Sequence, residues 1–330
     1  MSGVGRDGAI HMVWAARLRW AAQRVLQIVP VIIVATFLVF GMLQLVPGDP
    51  AVTLAGDSAT PQRIEQIRAL YGLDRPFLAQ YGTWLLHAAH GDLSRSILSG
   101  EPVRVAIMDR LPNTLLIVAG SLTLSLVIGI PMGVAAATRA GTRIDGAITG
   151  LTSFGVAVPS FWLAMLLVSV FALGLHWFPA TGAVGIGDDF AGAVRHAVLP
   201  SIALCASGVA TVARQLRSAL VDVLSSQYVR TLQAKGLSPA SILWKHGLKN
   251  VSVPLLTVIG LLVNRLLGAT VVIEAVFAIP GTGSLVVNAA LGKDFPVVQG
   301  VVLTMVIMVV VTNLLVDALY TVLDPRVSRS

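Results

Sequence analysis

The run "PVVQGVVLTMVIMVVVTNLLVDALYTV" (residues 296–322) contains a single charged residue, Asp317. A helix needs roughly 20 apolar residues to cross the hydrocarbon core of a bilayer, so this stretch predicts a transmembrane helix. Five further runs of similar length and character lie upstream, at 25–46, 112–137, 147–175, 197–221 and 251–273. Each is bounded by charge, proline or glycine. Backbone groups in lipid must be satisfied within their own segment, so all six are read as helices, with Pro131, Pro159 and Pro254 marking local breaks or kinks.

The whole composition agrees with this reading. Of the 330 residues 55% are hydrophobic and only 12% charged, and the mean hydropathy is +0.83, far from the balance of a soluble domain. The net charge of +7 is carried by bases between apolar runs without interleaved aromatics, which argues for loops on anionic lipid and against a nucleic-acid surface. The lone Cys205 excludes an internal disulfide and a cysteine-rich metal site. The first apolar run is long enough to span and lacks a clean cleavage site after it, so it is expected to remain in the protein.

Short loops retain basic residues on the cytoplasmic side. With the N-terminus inside, Arg17, Arg19, Arg24, Arg139, Arg143, Arg217, Arg230, Lys235, Lys245, Lys249, Arg326 and Arg329 are all cytoplasmic, whereas the short outer loops hold only Arg195 and Lys293. The expected organisation is a cytoplasmic segment 1–24, a first span 25–46, an external subdomain 47–111, a core 112–322 with five spans, and a cytoplasmic tail 323–330. The external segment mixes Arg63, Arg68 and Arg75 with Asp49, Asp57, Glu65, Asp74, Asp92, Glu101 and Asp109, and reads as a water-exposed subdomain. Its "PQRIEQIRALYGLDRP" predicts a short helix starting at Pro61 and stopping at Gly72.

The longest inner connection, 222–250, holds "YVRTLQAKGLS" (228–238), too polar to lie within lipid. On a helix Val229, Leu232 and Leu237 fall near one side while Arg230 and Lys235 project laterally, and Gly236 ends the helix. Ser238 followed by Pro239 predicts the start of a second short helix through "ASILWKHGLKN". Amphipathicity alone fits either a helix resting on lipid or one docked in a partner's groove.

The stretch 228–238, with "ILWKHGLKNVSVP" after it, resembles the coupling loop of type I ABC importer permeases. Aligned on Gly236, Arg230 takes the place of that loop's Glu, Thr231 its first Ala and Leu232 its second. Arg-Thr in place of Glu-Ala is typical of the dipeptide and oligopeptide branch, while Leu232 departs from the usual Ala. Further segments resemble that branch in order: "YGLDRPFLAQY" (71–81), "GDLSRSILSGEPV" (91–103), "RLPNTL" (110–115), "VPSFWLA" (158–164), "FPATG" (178–182), "AVFAIPGTGSLVVNA" (275–289), "DFPVVQGVVL" (294–303) and "NLLVDALYTVLDPR" (313–326). The long external segment after the first span is similar to that of B-type permease subunits.

The resemblance implies an all-α integral membrane protein, a six-helix type I permease with an external insertion, in a bacterial cytoplasmic membrane with both termini inside. It implies a heterodimer with a second permease, two ATPase subunits that bind ATP and Mg, an extracytoplasmic binding protein, and short peptides as cargo, with a nickel chelate, glutathione or haem as alternatives. The chain has no Gly-Lys-Ser or Gly-Lys-Thr phosphate cradle, so no catalytic residue or cofactor of its own is expected. The coupling residues would be Val229, Arg230, Thr231, Leu232, Ala234, Lys235, Gly236 and Leu237, with the apolar Val229, Leu232 and Leu237 making the docking contact.

Two further sites follow. Asn264 and Arg265 lie mid-way along the fifth span, where a charge costs about 3 kcal/mol on insertion scales and must face protein or water. They are assigned to the translocation pathway or to a contact with the neighbouring permease. In the outer connection Glu274–Lys293, the resemblance implies a gate or scoop under the binding protein, formed by Glu274, Phe277, Pro280, Gly281, Thr282 and Gly283, with a plain connector as the alternative; the glycines serve a tight bend. His87 and His90, three apart without a third ligand, make no expected metal site. An intramembrane protease lacks its paired acids here, and an ion-driven carrier lacks its inverted repeats and acidic relay.

Overall fold

In the computed structural model of the protein, residues 28–42, 51–52, 60–70 and 72–323 are described. The segments 1–27 and 324–330, with Arg17, Arg19, Arg24, Arg326 and Arg329, lie outside the described residues, as do Asp49 and Asp57.

Among the described residues the secondary structure is helical, with one isolated β-bridge between Arg95 and Pro102. The elements are α1 (Ile28–Met42), α2 (Pro61–Leu70), α3 (Phe77–Ala89), α4 (Val103–Thr138), α5 (Arg143–Ala157), α6 (Ser160–Leu167, continued by a π-helical stretch Val168–Gly174), α7 (Phe190–Leu224), α8 (Gln227–Ala234), α9 (Pro239–Ser241, continued by a π-helical turn Ile242–Gly247), α10 (Leu248–Val276), α11 (Thr282–Leu291) and α12 (Phe295–Leu323).

Four of these helices, α4, α7, α9–α10 taken together and α12, are long and apolar enough to cross a membrane, and five spans result if the bent pair α5–α6 counts as one. The first expected span is represented by the shorter apolar α1, whose flanks lie outside the described residues. The fourth expected span corresponds to α7, which starts seven residues before 197.

Two further departures from the sequence reading concern the second and third spans. The run 112–137 begins earlier, because α4 starts at Val103 and carries Pro112 within it; at 36 residues it is about 54 Å long, more than the hydrocarbon core requires. The segment 103–111 is therefore helix rather than part of an external loop. The run 147–175 is a pair of helices bent by 93°. The break falls at Val158, which is extended (φ −79°, ψ 121°) because Pro159 follows it and disfavours the helical region in its predecessor. Pro131 and Pro254 stay inside their helices.

The chain divides into two compact units, residues 1–104 with 292–314 and residues 105–291 with 315–330. In the first, Phe40 of α1, Tyr81 and Trp84 of α3 and Leu303 of α12 form a core, with Phe37 and Phe77 edge-on to their neighbours. The Tyr81 hydroxyl donates to the Ile33 carbonyl at 3.0 Å. The expected water-exposed subdomain thus contributes an aromatic face to a core shared with an apolar helix. Its short helix matches expectation, running Pro61–Leu70 with Gly72 left-handed at φ +63°. Asp294 clasps the 94–98 segment, accepting from the Ser96 hydroxyl and from the Ile97 amide at 3.0 Å.

The second unit is built on α7. In its apolar window 61% of residues are buried, against 11% for α12, because small side chains let neighbouring backbones close on it, as membrane helices commonly do. A Cβ added at Gly129 of α4 would lie 2.9 Å from Val212 Cβ and 3.0 Å from the Val209 carbonyl oxygen. The exposed apolar surface of α12, including Leu315 and Leu319, is what a lipid or partner contact requires.

Candidate functional site

Three places carry the residues singled out by the sequence, all in the second unit. The first is the elbow between α7 and α10. Ser226 caps α8, its hydroxyl accepting from the Val229 amide at 3.4 Å. The other end is closed by a Schellman motif. The Leu237 amide donates to the Leu232 carbonyl (3.2 Å), the Gly236 amide to the Gln233 carbonyl (2.9 Å), and Gly236 sits at φ +78°. Ser238 and Pro239 start the next helix as expected, Ser238 Oγ accepting from the Ser241 amide.

The side the elbow turns inward is the one expected to meet a partner. Val229 and Leu232 are buried with Ile242, and Leu237, Val223 and Leu224 pack on them. The contact between Leu232 and Leu237 is the apolar pair that accompanies a Schellman cap. The reading that Val229, Leu232 and Leu237 make the docking contact is therefore corrected: the apolar stripe of an eight-residue helix is spent on fixing α8 to its own chain. At 100° per residue, Gln227, Arg230, Thr231 and Ala234 lie together on the opposite side, and all four are exposed, as are Lys235 and Gly236.

The elbow also holds residues the sequence reading passed over. The Tyr228 hydroxyl lies 2.9 Å from His246 Nδ1, tying α8 to the π-helical turn, and Trp244 of the same turn is 66% exposed. The turn feeds directly into α10, whose Val251 packs with Ala137, Leu216 and Leu220. A displacement of α8 thus has a packed route into α7 and α10.

Near this end an ion pair joins α5 to α7. Arg217 donates through Nε to Asp145 Oδ1 at 2.5 Å and through Nη2 to Oδ2 at 2.6 Å, a two-pronged geometry. Asp145 also accepts from the Gly141 amide at 2.9 Å, and its side chain is 6% exposed against 34% for Arg217. The signal was present in the sequence, since Thr142 is the N-cap of α5 and Asp145 stands three residues on, as in a capping box. Arg217→Ala is expected to cost about 2 kcal/mol, below the usual figure for a buried pair because Arg217 is partly hydrated. A lowered melting midpoint in detergent measures it. Arg217→Lys should recover only part, since an ammonium cannot match the fork.

The second place is the middle of α10. Arg265 is exposed within this chain and Asn264 is partly buried beside it. Neither is brought near the elbow residues or the corner.

The third is the corner between α10 and α11. Glu274 and Thr282 are 0% exposed and Phe277 1%, Gly281 and Gly283 are buried, and Pro280 is exposed. Instead of a free loop, residues 282–291 form a helix. Gly281 and Gly283 are not in left-handed conformations; the non-glycine Ala278 is, at φ +48°. The glycines matter for space: a Cβ at Gly281 would fall on the Glu274 carboxylate, and one at Gly283 would lie 2.6 Å from Val271 Cα. The chain does bend tightly here, the Gly281 amide donating to the Ile279 carbonyl at 2.9 Å, and the glycines serve that bend through space rather than through a left-handed conformation.

Among the described residues no group of three His, Cys, Asp or Glu is placed to hold a metal ion, and His90 Nδ1 lies 2.8 Å from the Leu86 carbonyl.

Comparison with known proteins decides the family. Residues 129–329 match the binding-protein-dependent transport system inner membrane component, and residues 17–118 match the N-terminal region of such membrane components. The chain belongs to this family. A Brucella abortus (strain 2308) protein named for a peptide transport system permease is 43% identical over 305 residues, covering 92% of this chain and 97% of its own length. The oligopeptide transport system permease protein AppB of Bacillus subtilis (strain 168) is 37% identical over 308 residues, covering 92% and 98%. The glutathione transport system permease protein GsiC of Salmonella choleraesuis is 36% identical over 310 residues, covering 94% and 99%. A chain of the MetNI methionine ABC transporter, in an inward-facing conformation, superposes with a TM-score of 0.56 at 20% identity, over 68% of this chain and 99% of that one. As a binding-protein-dependent inner membrane component, the chain is a multi-pass permease whose helical core is shared with that importer.

Proposed function

We propose that this permease is one half of the membrane pathway of an ATP-driven importer of short peptides. A second permease of the same family completes the pathway, two nucleotide-binding subunits carrying ATP and Mg dock at the elbow, and an extracytoplasmic binding protein delivers the cargo. The chain would lie in a bacterial cytoplasmic membrane with both termini inside. Peptide as cargo is supported by the names of relatives such as AppB; GsiC, named for glutathione, favours a second cargo for the same machine.

The observation that carries the reading is the elbow. A capped helix of eight residues is about 12 Å long, far too short to span. Its apolar side is satisfied internally, and Gln227, Arg230, Thr231 and Ala234 form a small, polar outward face. That is a surface for a water-side protein partner. Asn264 and Arg265 are proposed to line the pathway. Glu274, Phe277, Pro280, Gly281, Thr282 and Gly283 form its outer corner.

Reconstituted with its partners in proteoliposomes, the complex should take up a short radiolabelled peptide only with ATP and binding protein, and equally well when an ionophore collapses the membrane potential. Uptake driven by potential alone would contradict the proposal. In the same assay Arg265→Ala should change uptake if the residue faces the pathway.

A further inference from the structure

The outer corner is wrapped around one carboxylate. Glu274 Oε1 accepts from the Thr114 hydroxyl of α4 at 2.7 Å, and Oε2 accepts from the Ser284 amide in the first turn of α11 at 2.8 Å. Thr114 is held in turn: its oxygen accepts from the Thr282 amide at 2.9 Å and lies 3.0 Å from the Thr282 hydroxyl. Beside this, Asn113 Nδ2 donates to the Pro280 carbonyl at 2.9 Å, and the Gly182 amide donates to the Phe277 carbonyl at 2.9 Å.

Three consequences follow from that geometry. First, the groups that meet the carboxylate here donate, which suits an acceptor-only anion. Second, the first turn of a helix leaves amides without intrahelical partners, so Glu274 caps α11 from a different helix. Third, the two glycines leave no spare volume around the carboxylate, so the corner cannot slide over it. The residues near Thr114, the end of α10 and the start of α11 are joined at a single buried point.

Glu274 also lies at one end of a helix whose other end is the elbow. α10 runs without a break from Leu248 to Val276, following the π-helical turn that carries His246. We infer that Glu274 is a positioning residue that makes the outer corner and the Thr114 region of α4 move as one body with α10, so that displacement of the elbow is delivered to the outer gate. The inference rests on the importer reading for what the motion accomplishes. The mechanical statement concerns this chain alone.

Two measurements on the assembled complex separate them. In the first, spin labels at exposed Leu115 and Val287 report the separation between α4 and α11 by EPR. Wild type should give one narrow distribution with and without ATP, and Glu274→Gln, whose amide can accept at only one of the two positions and sets an NH2 against a group that donates to the carboxylate, should broaden it at least about twofold. In the second, ATPase activity is compared with and without liganded binding protein. Glu274→Gln and Thr114→Val should each leave basal ATPase intact and lose most of the stimulation, with the double variant no worse than either single one. Thr114→Ser, which keeps the hydroxyl, should behave as wild type. A narrow distribution in Glu274→Gln, undiminished stimulation, or basal and stimulated rates falling by the same factor would overturn the inference. Should Glu274→Gln fail to assemble, the contrast between Thr114→Val and Thr114→Ser decides. Wild-type vesicles without ATP-dependent uptake would instead remove the importer reading, with the EPR result still testing the clasp.

Discussion

An assembled transporter carrying Ala234→Trp should import peptide at least about tenfold more slowly than wild type, since filling the proposed docking patch with a large side chain costs on the scale of an interface hot spot. The permease itself should be unaffected. Ala234 is exposed at the last turn of α8, on the side away from Val229 and Leu232, so yield and melting midpoint are expected to match wild type. Uptake in proteoliposomes, with ATP hydrolysis measured in parallel, checks the result. Leu232→Asn should fail differently: Leu232 is 9% exposed and packs with Val229 and Ile242, so it should lower the melting midpoint together with uptake.

The other large effect belongs to the α4–α7 packing. Gly129→Leu is expected to destabilise the permease by about 3 kcal/mol or more, the upper range for overpacking, because even a Cβ there meets Val212 and the Val209 backbone. A side chain can rotate away; a carbonyl on a packed helix cannot. Little assembled complex should survive detergent extraction and size-exclusion chromatography. Gly146→Leu is the matched control, since a Cβ at Gly146 meets nothing within 4 Å, and removing an exposed helical glycine is neutral or favourable by up to about 1 kcal/mol.

Much of the architecture is legible in the sequence because a bilayer imposes a length and a composition, and runs such as 296–322 satisfy both. Cap chemistry is legible for the same kind of reason: Ser238-Pro239 and Gly236 act within a few residues of themselves, and each occupies the expected place. What cannot be read is direction. The stripe of Val229, Leu232 and Leu237 announces a buried side but does not say against what, and it is buried against Ile242 of the same elbow. The Pro159 bend was signalled as a break, but its size depends on Val158 becoming extended.

The corner was found by resemblance, and its bend was legible while its buried anchor was not. Pro280, Gly281 and Gly283 suggest a tight bend when only neighbours in sequence are considered. Their true constraint is Glu274, whose hydrogen-bond partner Thr114 is 160 residues away and carries no local mark of that role. Asp145 lies between these extremes: its capping-box spacing is visible, but its pairing with Arg217, 72 residues on, appears only when α5 packs on α7.

The central claim, that the outward face of α8 receives the ATP-hydrolysing subunits while the inward face fixes it to its own chain, is tested most directly by placing a photo-activatable residue in turn at Thr231, Ala234, Val229 and Leu232 of the assembled complex. Irradiation should join the chain to the nucleotide-binding subunit from positions 231 and 234, and leave positions 229 and 232 joined only within the permease. Adducts to that subunit from 229 or 232, or adducts to lipid alone from 231 and 234, would contradict it.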